Sequence, residues 1–152
     1  MSEVPSPREV FLELVHGVCE GRGEEVLALY AEETHVEHPF HPLEAPPLRS
    51  LEELRAHFEG PTPGVPAGRT LRRRPVGIVV HETADPEVVV GEFRYEGTVV
   101  ETGEAFSVPG IFVLRVRDGK IVESRDYLDH LRSARARGQL GAVLDAVRER
   151  HG

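Results

Sequence analysis

IFVLRVRDGKIVESRDYLDH, residues 111–130, is the stretch from which the fold can be read. Two apolar-alternating runs, 111–116 and 121–127, flank Asp118-Gly119. An Asp-Gly pair between such runs predicts a tight β-hairpin, because both residues tolerate the positive φ that the turn needs. Period-2 alternation along the second strand groups Lys120, Val122, Ser124, Asp126 and Leu128 on one face and Ile121, Glu123, Arg125 and Tyr127 on the other. With the Val122 face inward, the hairpin carries the Asp126 carboxylate into the interior.

Upstream of the hairpin the chain reads as further strands over 71–81, 87–100 and 104–117, divided by Asp85-Pro86 and Thr102-Gly103. Gly91, Gly97 and Gly110 within them predict bulges or bends in a curved sheet. Before the strands come helices. Ser6-Pro7-Arg8-Glu9 is a capping box with proline at the first helical position, followed by Val10, Phe11, Leu14, Val15 and Val18 at helical spacing. A short second helix is expected over 24–31, an extended piece over 34–39, and a third helix after Ser50, whose capping box is completed by Glu53 and whose apolar face is Leu51, Leu54 and Phe58. Residues 60–68 form a turn-rich connection, and Leu140, Val143, Leu144 and Val147 mark a C-terminal helix over 131–150. Helices first and antiparallel strands afterwards is an α+β pattern: a curved antiparallel sheet wrapped into a cone around three N-terminal helices, with a C-terminal helix.

The 152 residues suit a single domain, with the core over 8–130. No apolar run approaches the roughly 20 residues of a membrane helix, and MSEVPSPREV lacks the basic start and apolar centre of a secretion signal. The single cysteine, Cys19, excludes an internal disulfide framework and reads as a small core residue in a reducing, cytoplasmic setting. A net charge of −8 opposes non-specific association with nucleic acid or anionic lipid. Arg69 and Arg72-Arg73-Arg74 are the one basic cluster, read as a solvated strand edge with a binding patch as the alternative.

Several segments resemble the SnoaL-like branch of the nuclear transport factor 2-like (ketosteroid isomerase-like) superfamily: GEEVLALYAEETHVEHPF (23–40), SLEELRAHFEG (50–60) and VLRVRDGKIVESRDYLD (113–129). The resemblance implies the cone fold and a homodimer through the outer sheet face. Against ketosteroid isomerase, His38 in Val36-Glu37-His38-Pro39 falls where that enzyme has its aspartate base. Leu14, and Ile111 with Phe112, fall where its two oxyanion donors stand, so the resemblance implies no steroid isomerisation. Against limonene epoxide hydrolase, Arg125-Asp126-Tyr127-Leu128-Asp129 matches, while Phe93 and Tyr95 replace its remaining partners. The phenazine-biosynthesis A/B-type proteins compare best. Their E-T-x-D-P turn is similar to Glu82-Thr83-Ala84-Asp85-Pro86, and their pocket acid and histidine fall on Asp126 and His57.

The residues therefore nominate Asp126 and His38 as a proton-transferring pair with His57 as helper. Phe58, Phe93, Tyr95, Phe112, Val122 and Ser124 form the expected substrate-binding wall, the aromatics being equally suited to filling a core. A buried, unpaired carboxylate has its pKa raised towards neutrality and becomes a usable acid–base group. His35, His38 and His41 invite a metal reading, but strand positions three apart face opposite sides and Pro39 and Pro42 exclude a helix, so no metal is expected. No cofactor is implied. Two functions follow: an acid–base enzyme that isomerises, cyclises or condenses a small apolar ring or carbonyl compound, or a non-catalytic small-ligand-binding or dimerisation module of the same fold. Partners are a small apolar molecule and a second copy, with no nucleic acid and no membrane.

Overall fold

A computed structural model describes residues 3–59 and 65–151. In order they form α1 (Pro7–Glu20), α2 (Gly23–Leu27), β1 (Tyr30–Glu37), α3 (Leu51–Glu59), β2 (Leu71–Glu82), β3 (Val88–Val99), β4 (Ala105–Arg117), β5 (Lys120–Leu128), α4 (His130–Ala136) and α5 (Leu140–His151). The architecture is the expected α+β arrangement of N-terminal helices and a five-stranded sheet. Among the described residues no helix is long and apolar enough to cross a membrane. Of the connection expected over 60–68, residues 60–64 lie outside those described.

Local chemistry explains the boundaries. The Ser6 hydroxyl accepts from the Glu9 amide at 3.2 Å, and the Glu9 carboxylate reaches back to the Ser6 amide, so both halves of the α1 capping box are made. At α3 the box is half displaced: Ser50 Oγ accepts from the Glu53 amide, but Glu53 Oε2 accepts from Arg49 N at 2.7 Å. Asp118 and Gly119 take φ of 52° and 75°, and Arg117 pairs with Lys120 across the turn, as the Asp-Gly signal requires. The helix expected over 24–31 stops early because Tyr30 opens β1. The C-terminal helix is two helices, divided at Gly138 with φ 72°.

The strand order is β1-β5-β4-β3-β2. Strands β2 to β5 are antiparallel, as expected, but β1 joins the edge parallel to β5. Helix α1 packs across β2, β3 and β4 and buries Val10, Phe11, Leu14 and Val15 against them. A smaller cluster of Leu43, Val65, Ala134 and Val143 fastens α4 and α5 over the β1–α3 loop.

Two irregularities set which side chains point inward. In β2 the ladder slips between Val76 and Val79, where Gly77 takes φ 62°. In the final hairpin Arg115 pairs with Glu123 but Val116 pairs with Ile121, so Val122 is the extra residue of a bulge. Simple alternation fails there: Ile121 is fully buried beside Ser124 and Asp126, and Val122 lies outside the core cluster. The glycines expected at bulges play another part. Gly91, Gly97 and Gly110 pair in register, and Gly91 is where α1 approaches most closely, since a Cβ there would stand 2.2 Å from the Phe11 ring.

Phe11 is wedged against Phe93 and Phe112, with ring centroids 6.0 and 6.4 Å away, and is fully buried. A methyl group at position 91 would have to displace it. Gly91→Ala is expected to cost about 1–3 kcal/mol by overpacking, read as a lower midpoint in chemical denaturation; an unchanged midpoint would mean that α1 is not seated as described.

Candidate functional site

The parallel ladder pairs Val36 with Ser124 and Glu37 with Arg125, so the next residues along, His38 and Asp126, come side by side. Two anchors hold that register. Val36 exchanges both backbone hydrogen bonds with Leu48 at 2.9 Å, and the Thr34 hydroxyl donates to the Ile121 carbonyl at 3.0 Å. His38 Nε2 stands 3.6 Å from Asp126 Oδ2, just beyond hydrogen-bond reach, and the two side chains keep 9% and 12% of their surface open. The other carboxyl oxygen, Oδ1, accepts from the Ser124 hydroxyl.

Asp126 has no arginine or lysine partner among the described residues. Burial pushes its carboxyl up to about 7, with the Ser124 hydrogen bond pulling weakly the other way. His38 moves oppositely: burial, then repulsion from His57, His130 and His41, hold its imidazole down at about 3. Near neutral pH the carboxyl group is therefore populated in both its protonated and ionised forms, with the imidazole neutral.

Three further histidines surround this pair. His57, from α3, lies 4.9 Å from His38 ring to ring, and His130, the first residue of α4, lies 6.0 Å away on another side. His41 stacks at 4.8 Å on His130 and accepts the Leu43 amide at Nδ1, 3.1 Å. Burial is the leading cause that holds all three below the ordinary histidine range, His130 at about 4. His130 Nε2 is buried with no hydrogen-bond partner among the described residues. His35 is not part of the group; it pairs with Glu37 at 2.7 Å. Among the described residues no set of three His, Cys, Asp or Glu side chains has the geometry to hold a metal ion.

Tyr30 and Tyr95 complete the interior. They are 4% and 3% exposed, and neither hydroxyl has a hydrogen-bond partner among the described residues. Burial raises both phenols, and the nearby Asp126 charge raises them further. Both hydroxyls thus keep their protons and are free to donate. Tyr30 carries no motif and was missed in the sequence because its stretch reads as helix. His130 carried a usable signal: it continues the alternate-residue face of Asp126 and Leu128. His41 had none, since only the turn after Pro39 brings it back.

The expected substrate-binding wall divides. Ser124 holds Asp126, and Phe112 stands opposite Asp126 in the ladder, whereas Tyr95 lies two strands away with its ring 4.7 Å from Phe93. Phe93 and Phe112, 2% and 7% exposed, pack ring to ring at 4.7 Å and fill the core with Phe11. Phe58 is 39% exposed and meets Tyr30 at 6.4 Å. Val122 is carried away by the bulge, which overturns its assignment to the Asp126 face. Cys19 stays a half-buried thiol, pushed by burial to about 11 and unsuited to nucleophilic attack. A cleft of about 600 Å³ opens elsewhere, bordered by Phe40, Val79, Ile111, Tyr127 and Leu131 on the outer sheet face and reaching His130.

The opposed shifts have a defined signature. An acid whose folded pKa is raised disfavours the fold as pH climbs from the ordinary carboxyl value of 3.8 to about 7. His38, lowered from 6.5 to about 3, disfavours it as pH falls through that interval. Asp126→Asn removes the first effect and keeps a partner for Ser124. It is expected to match wild type near pH 4 and to gain stability progressively up to pH 8, by a few kcal/mol at about 1.4 kcal/mol per tenfold in acid constant. Equal pH dependence of the melting temperature in both proteins would show Asp126 to be a normal, hydrated acid.

Comparison with known proteins identifies the fold and the family. A PhzA/B-like protein of Pseudomonas aeruginosa is 39% identical over 67 residues, 44% of this chain and 48% of that protein, so the match spans about half of the relative's length. The crystal structure of a candidate isomerase from Bacillus subtilis superposes with a TM-score of 0.73 at 25% identity, over 91% of this chain and 96% of the other. At 18% identity, a Mycobacterium tuberculosis protein crystallised with estradiol-17β-hemisuccinate shares the fold with a TM-score of 0.61, over 81% and 94% of the two chains. Residues 11–124 match the SnoaL-like domain, and the chain belongs to that family, whose cone-shaped α+β fold the five-stranded sheet and its helices reproduce.

Proposed function

We propose that the protein catalyses proton transfer at a carbon next to a carbonyl in a small, largely apolar compound, the step common to isomerisation, cyclisation and condensation. The observation that carries this reading is a buried carboxyl group without a cationic partner, raised to about 7 and 3.6 Å from a neutral imidazole. A group poised near the working pH is populated in both forms and so serves as base and then as acid. The Asp126 carboxylate takes the proton from the α-carbon, and the electron pair left behind moves onto the carbonyl oxygen to give an enolate. The Tyr30 and Tyr95 hydroxyls donate to that oxygen, which stabilises charge where it develops. They supply the donors that Leu14, Ile111 and Phe112 lack. Protonated Asp126 then returns the proton, to the same carbon or to a conjugated one. His38, held neutral, relays a proton between substrate and solvent, and His57 beside it orients His38. No cofactor enters the step.

The Mycobacterium tuberculosis neighbour crystallised with estradiol-17β-hemisuccinate is consistent with an apolar ring ligand in such a fold. A second reading, a ligand-binding module without turnover, draws support from the Phe11–Phe93–Phe112 packing, which leaves little of the inner face for substrate.

Deuterium exchange into 2-tetralone and 1-indanone in D₂O, followed by NMR, separates the readings. Wild type should accelerate exchange above the buffer rate with a profile that rises through pH 7, and Asp126→Asn should lose about 10²- to 10⁴-fold. Exchange at the buffer rate with wild type, or an equal rate with Asp126→Asn, removes the enzymatic reading and leaves the binding module.

We also infer a homodimer through the outer face. Phe40, Val79, Ile111 and Leu131 are 67, 49, 39 and 48% exposed there, and they border one cleft. Such a contiguous apolar surface is covered in stable proteins, and a two-fold pair covers it with itself. Light scattering should give twice the chain mass for wild type and a monomer for Ile111→Glu; a monomeric wild type would refute the dimer.

A further inference from the structure

Ser124, which its strand position assigns to the substrate-binding wall, is 1% exposed and out of a ligand's reach. Its backbone is held from both sides. It stands opposite Val36 in the parallel ladder with β1 and opposite Leu114 in the antiparallel ladder with β4, and those two residues are 1% and 0% exposed. A hydroxyl in such a place is unfavourable unless it is hydrogen-bonded. Among the described residues it has one use, the bond it donates to Asp126 Oδ1.

That bond makes the two carboxyl oxygens unequal. An ionised carboxylate can only accept, so the hydroxyl donates to it. When the group takes up a proton, the hydroxyl keeps its direction only if that proton sits on the other oxygen. Oδ2 is the oxygen that faces His38 Nε2, at 3.6 Å, with the His57 ring 4.9 Å beyond that imidazole. The titratable groups around the acid do not compete for the proton near pH 7. His38, His41, His57 and His130 are all held neutral, first of all by burial, and the Tyr30 and Tyr95 phenols keep their protons.

We propose that Ser124 is a positioning residue: its hydroxyl holds Asp126 by Oδ1, so that the proton is taken up and released at Oδ2, on the His38 side of the carboxyl group. In the enolisation step the C–H proton passes to Oδ2 as its electron pair moves onto the substrate carbonyl, and the same oxygen returns it. The bond also favours the ionised, basic form and so opposes the effect of burial. That Oδ2 acts on a substrate carbon rests on the acid–base reading of Asp126; the inequality of the two oxygens does not.

A ¹³C NMR titration of the Asp126 carboxyl in the full chain, its signal identified by its loss in Asp126→Asn, reads the contribution of the bond. Without the donor the ionised form loses support, so Ser124→Ala should titrate about one pH unit above wild type. Ser124→Thr, which keeps the hydroxyl, should titrate with wild type, and Ser124→Cys, a weaker donor of similar size, between the two. In 2-tetralone exchange the rising limb of the Ser124→Ala profile should move up by the same amount. Its kcat at pH 7 should fall about fivefold with KM unchanged, since Ser124 touches no substrate. Neutron diffraction at pH 5 should show the carboxyl deuteron on Oδ2. A deuteron on Oδ1 overturns the proposal, as does a folded Ser124→Ala, or Ser124→Cys where only that variant folds, that titrates with wild type. Neither the titration nor the diffraction needs turnover: exchange at the buffer rate by wild type removes the enzymatic reading, and these two measurements still decide the part of Ser124.

Discussion

The parallel contact between β1 and β5 is the constraint on which the site depends. The two strands are the first and last of the sheet in sequence, and everything between them serves as their crossover connection. A side-chain period of two makes the pairing unforgiving, because a slip of one residue would take Val36 out of the core and His38 away from Asp126. The register is therefore fixed twice on β1, by Val36 held between Leu48 and the sheet and by Thr34 capping the Ile121 carbonyl. It is fixed once more on β5, by the bulge that puts Ile121, Ser124 and Asp126 on one face.

Much of this was legible in the chain. Asp118-Gly119 announced the hairpin because its φ values are demanded by the turn itself, and the capping boxes at Ser6 and Ser50 announced α1 and α3 because the first-turn amides must find acceptors locally. What could not be read was whatever depended on distant partners. Nothing local says that β1 lies parallel to β5, and a bulge at Val122 looks like any alternating strand until its partner is known. Asp126 survived that misreading of its strand because it lies beyond the bulge, whereas Val122, at the bulge, did not. Tyr30 and His41 join the site through an early helix end and a proline turn, neither of which has a period. Arg73 was visible as part of a run, but its separation from Arg72 and Arg74 appears only once β2 has an inside.

Electrostatics sets the character of the interior. A chain of net charge −8 places one carboxyl group where no base neutralises it, and lets burial keep a proton on it. Four imidazoles crowd the same region, and burial first of all, with repulsion from neighbouring cations second, holds them neutral, so the assembly carries little net charge near pH 7 despite five titratable groups. That arrangement suits an uncharged reacting centre. The phenols of Tyr30 and Tyr95 add donors that do not titrate in the working range. Beside the acid the inner face is filled by Phe11, Phe93 and Phe112, with Phe112 standing directly opposite Asp126 in the ladder.

Polarity along the inner face is consequently uneven: Arg73 lies over Tyr95 on one side, the phenylalanines fill the middle, and Asp126 stands with His38 on the other. Two hydroxyls, of Tyr30 and Tyr95, and the His130 Nε2 stand without a hydrogen-bond partner among the described residues. Folding tolerates such groups because α1 and the aromatic block bury enough apolar surface to offset them. A carbonyl-bearing apolar compound would offer those phenol donors an acceptor. Its binding energy would come from groups already held in place, with little side-chain entropy left to lose. The groups that lack partners within the fold are thus the same ones that define what it can recognise.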